Sequence, residues 1–232
     1  MKPELIVALD LPNADQIPAV LEKIPPEVRF FKVGLELFTA AGRDALRMLA
    51  EREKNVFLDL KFHDIPRTVA RAVRAASDMG ACLLTVHACG GKHMLEAAAE
   101  AARACGAKRP QLVAVTTLTS LGQEDLRDLG VQRSVADQAL ALGEMALNAG
   151  IDGLVTAVHE TAALRSRFGN EPVLVTPGIR LPGDDKGDQK RVATPSLAVQ
   201  AGASFLVVGR TILNAPNPNA AAQAVLDDMG RA

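Results

Sequence analysis

The stretch VFLDLKFHDIPRTV occupies positions 56–69 of the chain. Its first three residues are apolar and favour β-structure, and Pro66 interrupts the backbone soon afterwards, so we predict a buried strand that ends near Phe62. Side chains alternate along a strand, which places Asp59 and Lys61 on one face, and Asp64 follows on the adjoining loop. This segment therefore brings two carboxylates and one ammonium group to the end of an apolar strand.

Charged groups at the end of a buried strand are costly, because desolvation is unfavourable unless each charge is paired. A structural ion network is the simpler interpretation of a single aspartate–lysine pair, since such networks also perturb ionisable groups. A catalytic site is the alternative interpretation. The rest of the chain decides between them.

Eight short apolar runs rich in β-forming residues recur along the chain. They are LIVALD at Leu5, FFKVG at Phe30, VFLDLK at Val56, LLTVHA at Leu83, LVAVTTL at Leu112, GLVTAV at Gly153, VLVTPG at Val173 and FLVVGR at Phe205. Alanine-rich segments with helical period lie between them, and we expect helices at 44–52, 68–79, 94–104, 135–148 and 195–200, with an extra helix at 123–129. Continuously apolar strands that alternate with helices indicate a parallel sheet covered by helices.

The repeat length identifies the architecture. Eight units in 232 residues average roughly 29 residues each, which is close to a (β/α)₈ TIM barrel. An open doubly wound sheet is the alternative, but LDLP at Leu9 stands where its glycine-rich fingerprint would follow the first strand. We therefore predict an α/β chain that forms a single (β/α)₈ barrel domain over residues 1–232.

Composition restricts the possible partners and the compartment. The chain is 48% hydrophobic and 23% charged with a net charge of -1, and it has no Trp or Tyr, so neither a basic field nor stacking platforms favour nucleic acid. No segment reaches the roughly 18 apolar residues of a membrane span. Three cysteines without paired spacing fit a reducing, cytoplasmic compartment.

Polar residues stand at the ends of most of the predicted strands, where TIM barrels carry their active sites. They are Asp10, Lys32, Asp59, Lys61, His87, Thr119, Ser120, Arg180, Gly209 and Arg210. Unrelated charges would not collect at one end of a barrel, so this clustering favours a catalytic site over a structural network. We interpret His87 as a hydrogen-bonded strand-end residue, because no second histidine stands at metal-ligand spacing.

The loops after the seventh and eighth strands predict a phosphate site. They carry GIR at 178–180 and GRT at 209–211, and glycine amides, a helix start and an arginine fork together suit an anion. The polar stretch RLPGDDKGDQKR at 180–191 is a candidate lid. A phosphorylated substrate is the expectation.

With these residues assembled, the chain resembles the orotidine 5'-phosphate decarboxylase family, in its bacterial form, over essentially its whole length. The matching motifs are LDLP at Leu9, FKVG at Phe31, LDLKFHDIPRTV at Leu58, TVHACGG at Thr85, LTS at Leu118, TPGIR at Thr176, DQKRVATP at Asp188 and VVGRTI at Val207. The aspartate–lysine–aspartate block alone is shared with sugar-phosphate decarboxylases and aldolases. Combined with the arginine lid and the GR phosphate motif, it is highly specific.

The resemblance implies decarboxylation of orotidine 5'-monophosphate (OMP) to UMP in pyrimidine biosynthesis, without a cofactor or a metal, by a cytoplasmic homodimer. It implies a catalytic group of Asp59, Lys61 and Asp64, with Asp64 contributed by the neighbouring subunit and Lys61 stabilising and protonating the C6 carbanion. It also implies contacts with the substrate. Asp10 and Lys32 would contact the ribose, Thr119 and Ser120 the pyrimidine, and Arg180, Gln189, Gly209 and Arg210 the phosphate. Thr68 would make a further contact.

Two competing interpretations remain open at this point. One is a metal-dependent decarboxylase or aldolase acting on a sugar phosphate, in which a carboxylate would bind Mg²⁺, and activity that survives EDTA would exclude it. The other is a catalytically silent nucleotide-binding barrel, which would bind UMP without turning over OMP.

Overall fold

A computed structural model describes residues 2–184 and 192–232 of the chain. Eight parallel strands pair in sequence order, and the last strand pairs with the first, so that the sheet closes into a barrel. The strands are β1 (Glu4–Leu9), β2 (Phe30–Gly34), β3 (Asn55–Phe62), β4 (Ala81–His87), β5 (Gln111–Val115), β6 (Gly153–Val155), β7 (Val173–Thr176) and β8 (Phe205–Val208). The predicted TIM-barrel fold is confirmed, and each predicted apolar run overlaps one strand.

Helices connect successive strands and cover the outside of the barrel. They are α1 (Ile17–Leu21), α2 (Leu35–Ala41), α3 (Arg43–Ala50), α4 (Pro66–Asp78), α5 (Lys92–Arg103), α6 (Gln123–Asp128), α7 (Val135–Asn148), α8 (Val158–Phe168), α9 (Pro195–Gln200), α10 (Arg210–Leu213) and α11 (Pro218–Met229). The expected extra helix is α6, and α7 and α9 have the predicted bounds. The start of α4 is earlier than predicted because Pro66 occupies its first turn, where a proline needs no hydrogen-bond donor.

No helix in the described part of the chain is long and apolar enough to span a membrane.

The strands are apolar on both faces because the barrel has two apolar layers. The outer layer packs strands against helices, and the inner layer fills the barrel. The inner layer consists of Ile6, Ala8, Phe57, Leu83, Val113, Val173, Val175, Phe205 and Val207. This double burial explains why the sequence shows continuous apolar runs rather than polar–apolar alternation.

The pairing of β3 with β4 is irregular where β3 carries its charged residues. Leu58 pairs with Leu84 and Phe62 pairs with Val86, so that three residues of β3 lie opposite the single residue Thr85. Within this bulge Lys61 has a φ of 50°, in the left-handed region that side chains rarely adopt. The bulge interrupts the regular alternation of the strand, yet the Asp59 and Lys61 side chains lie on one side and contact each other, as predicted.

Candidate active site

A cavity of about 300 Å³ lies at the carboxyl ends of the strands. Most of the residues predicted for the site line it, namely Asp10, Lys32, Asp59, Lys61, Thr119, Ser120, Arg180, Gly209 and Arg210. Apolar side chains of the barrel interior, among them Phe57, Val155 and Val207, line it as well. The cavity thus combines charged groups with an apolar wall, as is typical of small-molecule sites.

Four of these charged side chains form a row of alternating sign. Lys32 Nζ donates a hydrogen bond to Asp10 Oδ1 at 3.0 Å and lies 3.8 Å from Asp59 Oδ2. On its other side, the Asp59 carboxylate accepts a hydrogen bond from Lys61 Nζ at Oδ1, at 2.9 Å. Asp59 therefore lies between two lysines, one at each carboxylate oxygen.

Burial differs along this row. The Lys32 and Asp59 side chains retain 13% and 14% of their exposure, whereas Lys61 retains 33% and Asp10 53%. The two inner groups depend on their partners, because an unpaired charge at such burial is unfavourable. An ammonium group has three N–H bonds, and Asp59 accepts one of those of Lys61, so Lys61 is suited to meet a ligand in the cavity.

Two glycines make room for this row. A Cβ atom on Gly34 would lie 2.8 Å from Lys32 Nζ, and a Cβ on Gly209 would lie 3.2 Å from Asp10 Oδ2. Gly209 was predicted as a phosphate contact, and the structure adds this spatial reason for a glycine there. Gly34 was not predicted as a site residue. Its signal in the sequence is a glycine that directly ends a strand carrying Lys32.

Thr85 is a second residue that the sequence analysis did not select. It lies on β4 and is fully buried, and its hydroxyl contacts both Asp59 and the backbone of Lys61. The only local signal is a hydroxyl residue within the otherwise apolar strand run LLTVHA. The long-range register that brings it to Asp59 is not visible in the sequence.

Three of the residues predicted to hold a phosphate, Arg180, Gly209 and Arg210, line the cavity. Arg180 follows β7 and is 8% exposed, Gly209 follows β8, and Arg210 begins α10. The Arg180 backbone is anchored by its N–H, which donates to the Ala193 carbonyl at 3.0 Å. Two arginines and a glycine in the lining give the cavity the chemistry of an anion site.

Part of the predicted lid and one predicted phosphate contact are outside the described residues. Gln189 belongs to this part, as does the candidate lid from position 185 to its end at 191. At the described start of the stretch, the Thr211 hydroxyl donates to Asp184 Oδ2 at 2.6 Å. This contact ties the beginning of the stretch to α10.

Asp64 and Thr68 are not among the described residues that line the cavity of their own chain. Asp64 is exposed on the loop after β3, and its Oδ1 accepts a hydrogen bond from the Ile65 amide at 2.6 Å. Thr68 is exposed in the first turn of α4. The prediction for Asp64 required a second subunit, and the assignments of both residues to the site stay predictions.

His87, the last residue of β4, makes a hydrogen bond and a ring-stacking contact with its neighbours. His87 Nδ1 accepts a hydrogen bond from the Cys89 amide at 3.4 Å, and its ring stacks on that of His63 with centroids 5.3 Å apart. Burial lowers the pKa of His87 below its ordinary value of 6.5, and the nearby His63 and Lys61 lower the pKa further. The interpretation of His87 as a hydrogen-bonded strand-end residue agrees with these contacts.

Within residues 2–184 and 192–232, no group of three or more His, Cys, Asp or Glu side chains has the arrangement of a metal site. The expectation that the chain needs no metal or cofactor stays a prediction.

Comparison with known proteins gives consistent matches over nearly the whole chain. Residues 3–225 match the model of the family described as Orotidine 5'-phosphate decarboxylase / HUMPS family. The chain is 45% identical over 229 residues to an orotidine 5'-phosphate decarboxylase of Legionella pneumophila (strain Corby), covering 99% of this chain and 100% of that protein. It is 49% identical over 229 residues to the protein of that name from Moorella thermoacetica, covering 97% of this chain and 91% of the relative.

A solved structure agrees in fold. The crystal structure of orotidine 5'-phosphate decarboxylase from Lactobacillus acidophilus superposes with a TM-score of 0.87 at 39% sequence identity, covering 98% of this chain and 99% of the other.

Proposed function

The chain belongs to the orotidine 5'-phosphate decarboxylase family. For the reaction of this family we propose a mechanism in which Lys61 is the acid, and its proton takes the place of the departing carboxylate. The reaction is decarboxylation of OMP to UMP in pyrimidine biosynthesis, and the chain is therefore a carboxy-lyase. The observation that carries the mechanism is the 2.9 Å contact of Lys61 Nζ with Asp59 inside the cavity.

The chemistry requires a cation at the reacting carbon. When the bond between C6 and the carboxylate carbon breaks, CO₂ leaves and the electron pair stays on C6. A preorganised ammonium group stabilises that charge, because it needs no reorganisation as the charge develops. Lys61 then donates a proton to C6, which forms UMP, and solvent reprotonates the lysine.

Asp59 has two roles in this proposal. It holds the Lys61 ammonium group by a charge-assisted hydrogen bond, and it brings a negative charge close to the carboxylate of bound OMP. Two carboxylates near each other repel, and this repulsion ends when CO₂ departs. The repulsion therefore raises the energy of the bound substrate more than that of the transition state.

Substrate binding is proposed to use the remaining polar lining. Arg180, Gly209 and Arg210 hold the phosphate together with Gln189, and the stretch 180–191 closes over it as a lid. Asp10 and Lys32 contact the ribose, and Thr119 and Ser120 contact the pyrimidine. Phosphate contacts far from C6 supply binding energy that offsets the repulsion at the carboxylate.

A homodimer completes the proposed site. Asp64 and Thr68 lie on an exposed surface that also carries Ile65, which is 67% exposed. A two-fold interface is self-complementary, so each subunit would receive Asp64 and Thr68 from the other. Ile65, an exposed apolar residue between the two predicted donors, would be buried by an interface at this place.

We also propose that the chain acts as one domain in the cytoplasm. Its cysteines, Cys82, Cys89 and Cys105, are all unpaired thiols, as expected in a reducing compartment.

The test compares the turnover of OMP by the parent and by Lys61→Ala. The change in ultraviolet absorbance measures the loss of OMP. We expect Lys61→Ala to lose decarboxylation while its thermal unfolding midpoint stays near that of the parent. UMP binding by calorimetry is the control that the cavity is intact. Turnover within tenfold of the parent would remove Lys61 from the mechanism. Activity lost after EDTA treatment and restored by Mg²⁺ would favour the metal-dependent alternative.

A further inference from the structure

Thr85 lies where the pairing of β3 with β4 is broken. It is the single residue of β4 between Leu84 and Val86, and it faces the bulge of β3 that contains Asp59 and Lys61. Its side chain is completely buried. A buried hydroxyl in an apolar layer needs hydrogen-bond partners, and the partners of Thr85 belong to the candidate active site.

The Thr85 hydroxyl makes two hydrogen bonds that differ in direction. It accepts from the Lys61 amide at 2.8 Å, and it donates to Asp59 Oδ1 at 3.1 Å. The same Asp59 oxygen accepts from Lys61 Nζ at 2.9 Å. One hydroxyl therefore fixes the backbone of the lysine and the carboxylate that holds the ammonium group of that lysine.

The first bond compensates for an unusual backbone. Lys61 has a φ of 50°, which side chains avoid because Cβ approaches the neighbouring carbonyl oxygen. In the bulge, the Thr85 hydroxyl takes the place of a backbone carbonyl as acceptor for the Lys61 N–H. Without that acceptor the amide would be left unsatisfied in a left-handed conformation, and the loop would relax toward ordinary β-geometry.

The second bond orients the Asp59 carboxylate. It pins Oδ1 on the Lys61 side, which leaves Oδ2 facing Lys32 at 3.8 Å. Rotation of this carboxylate would move its oxygens away from the ammonium groups of Lys61 and Lys32.

We propose that Thr85 is a positioning residue for decarboxylation. It holds the Lys61 backbone and the Asp59 carboxylate in fixed positions relative to each other. This inference rests on the proposed role of Lys61. A residue that only fills the barrel would affect stability and leave turnover by the folded enzyme unchanged. A positioning residue lowers kcat, because misplacement of the reacting group by about 1 Å costs up to roughly a hundredfold.

The experiment compares Thr85→Val, which has the same shape without the hydroxyl, with Thr85→Ser, which restores it. Thr161→Val is the matched control, since Thr161 is also fully buried and its hydroxyl donates at 3.0 Å to the carbonyl of Ala157, the N-cap residue of α8. We measure kcat and KM for OMP, UMP affinity and the thermal midpoint. Thr85→Val should lose about 10- to 100-fold in kcat with KM and UMP affinity within about threefold of the parent.

Thr85→Ser should recover kcat to within about threefold, and Thr161→Val should match the parent in kcat. If Thr85→Val does not fold, Thr85→Ala provides the hydroxyl-free variant, with the same expected loss. Parental kcat in the folded hydroxyl-free variant, or equal losses for the serine and hydroxyl-free variants, would overturn the inference. Lys61→Ala is assayed in parallel. If Lys61→Ala is inactive and Thr85→Val is fully active, the Thr85 inference alone fails, whereas an active Lys61→Ala removes the mechanism itself.

Discussion

Gly34→Ala is the substitution that tests whether the row of alternating charges matters for turnover. The added methyl group would lie 2.8 Å from Lys32 Nζ, too close for any real contact, and 3.8 Å from Asp10 Oδ1. The Gly34 backbone has φ -95° and ψ -173°, which alanine adopts without strain. The clash is with the end of a flexible side chain, so we expect Lys32 to move and the barrel to stay folded.

The magnitude follows from the contacts that Lys32 would lose. A hydrogen bond between charged groups contributes about 1.5 to 3 kcal/mol, and partial exposure of Asp10 favours the lower end of that range. Since 1.4 kcal/mol corresponds to about tenfold, kcat/KM should fall roughly 10- to 100-fold. Gly34 also precedes α2 at its N-cap, where alanine costs about 1 kcal/mol relative to glycine, so a drop of about 2–4 °C in Tm is expected.

Steady-state OMP turnover provides the assay, with Gly230→Ala as the matched control. Gly230 ends α11 with helical φ of -75°, and a Cβ there would be 3.4 Å from the Asp227 carbonyl, far from the cavity. The double variant Gly34→Ala with Lys32→Met shows whether the loss of turnover in Gly34→Ala depends on Lys32. If the methyl group acts through Lys32, the double variant is no slower than Lys32→Met alone. Parental kcat/KM in Gly34→Ala, or full additivity in the double variant, would refute the reasoning.

Three further outcomes are expected. Mixing inactive Lys61→Ala and Asp64→Ala homodimers should restore roughly a quarter of parental activity after random subunit exchange, since half the dimers are mixed and each mixed dimer has one intact site. If mass spectrometry confirms exchange and no activity returns, a shared site is ruled out. Arg210→Ala should weaken UMP by about 10- to 150-fold, the equivalent of about 1.5 to 3 kcal/mol, and leave uridine binding nearly unchanged, and equal losses for both ligands would place the anion site elsewhere. Because the pKa of His87 is lowered in the folded state, the unfolded chain binds more protons as pH falls below 6.5, so the parent should lose stability there. His87→Gln should show a smaller drop in Tm between pH 8 and pH 5, and a larger drop would contradict this assignment of the pKa shift.

The order of secondary structure was predictable from the sequence because it depends on local patterns. Continuous apolar runs separated by helical periods are what a barrel with two apolar layers requires, and these patterns predicted all eight strands. Helix ends such as that of α4 were less accurate, since capping residues rather than periodicity determine them.

The location of the site was predictable for the same reason. In a parallel barrel all strands point the same way, so residues at the carboxyl ends of the strands meet at one end of the barrel regardless of their separation in sequence. This rule placed Asp10, Lys32, Asp59, Lys61 and Arg180 together, and the structure brings them to one cavity. The resemblance to a known family then supplied the reaction, which strand ends alone could not specify.

Tertiary structure decided the features that depend on register between distant strands. The bulge that gives Lys61 its left-handed φ and the approach of Thr85 to Asp59 both arise where β3 and β4 meet. Likewise, only the folded chain shows Asp64 on an exposed loop outside its own cavity. The sequence by itself indicated most of the strand-end residues that line the cavity, whereas the packing of one strand against the next determined their orientation and brought Thr85 to Asp59, because these features depend on contacts between residues far apart in the chain.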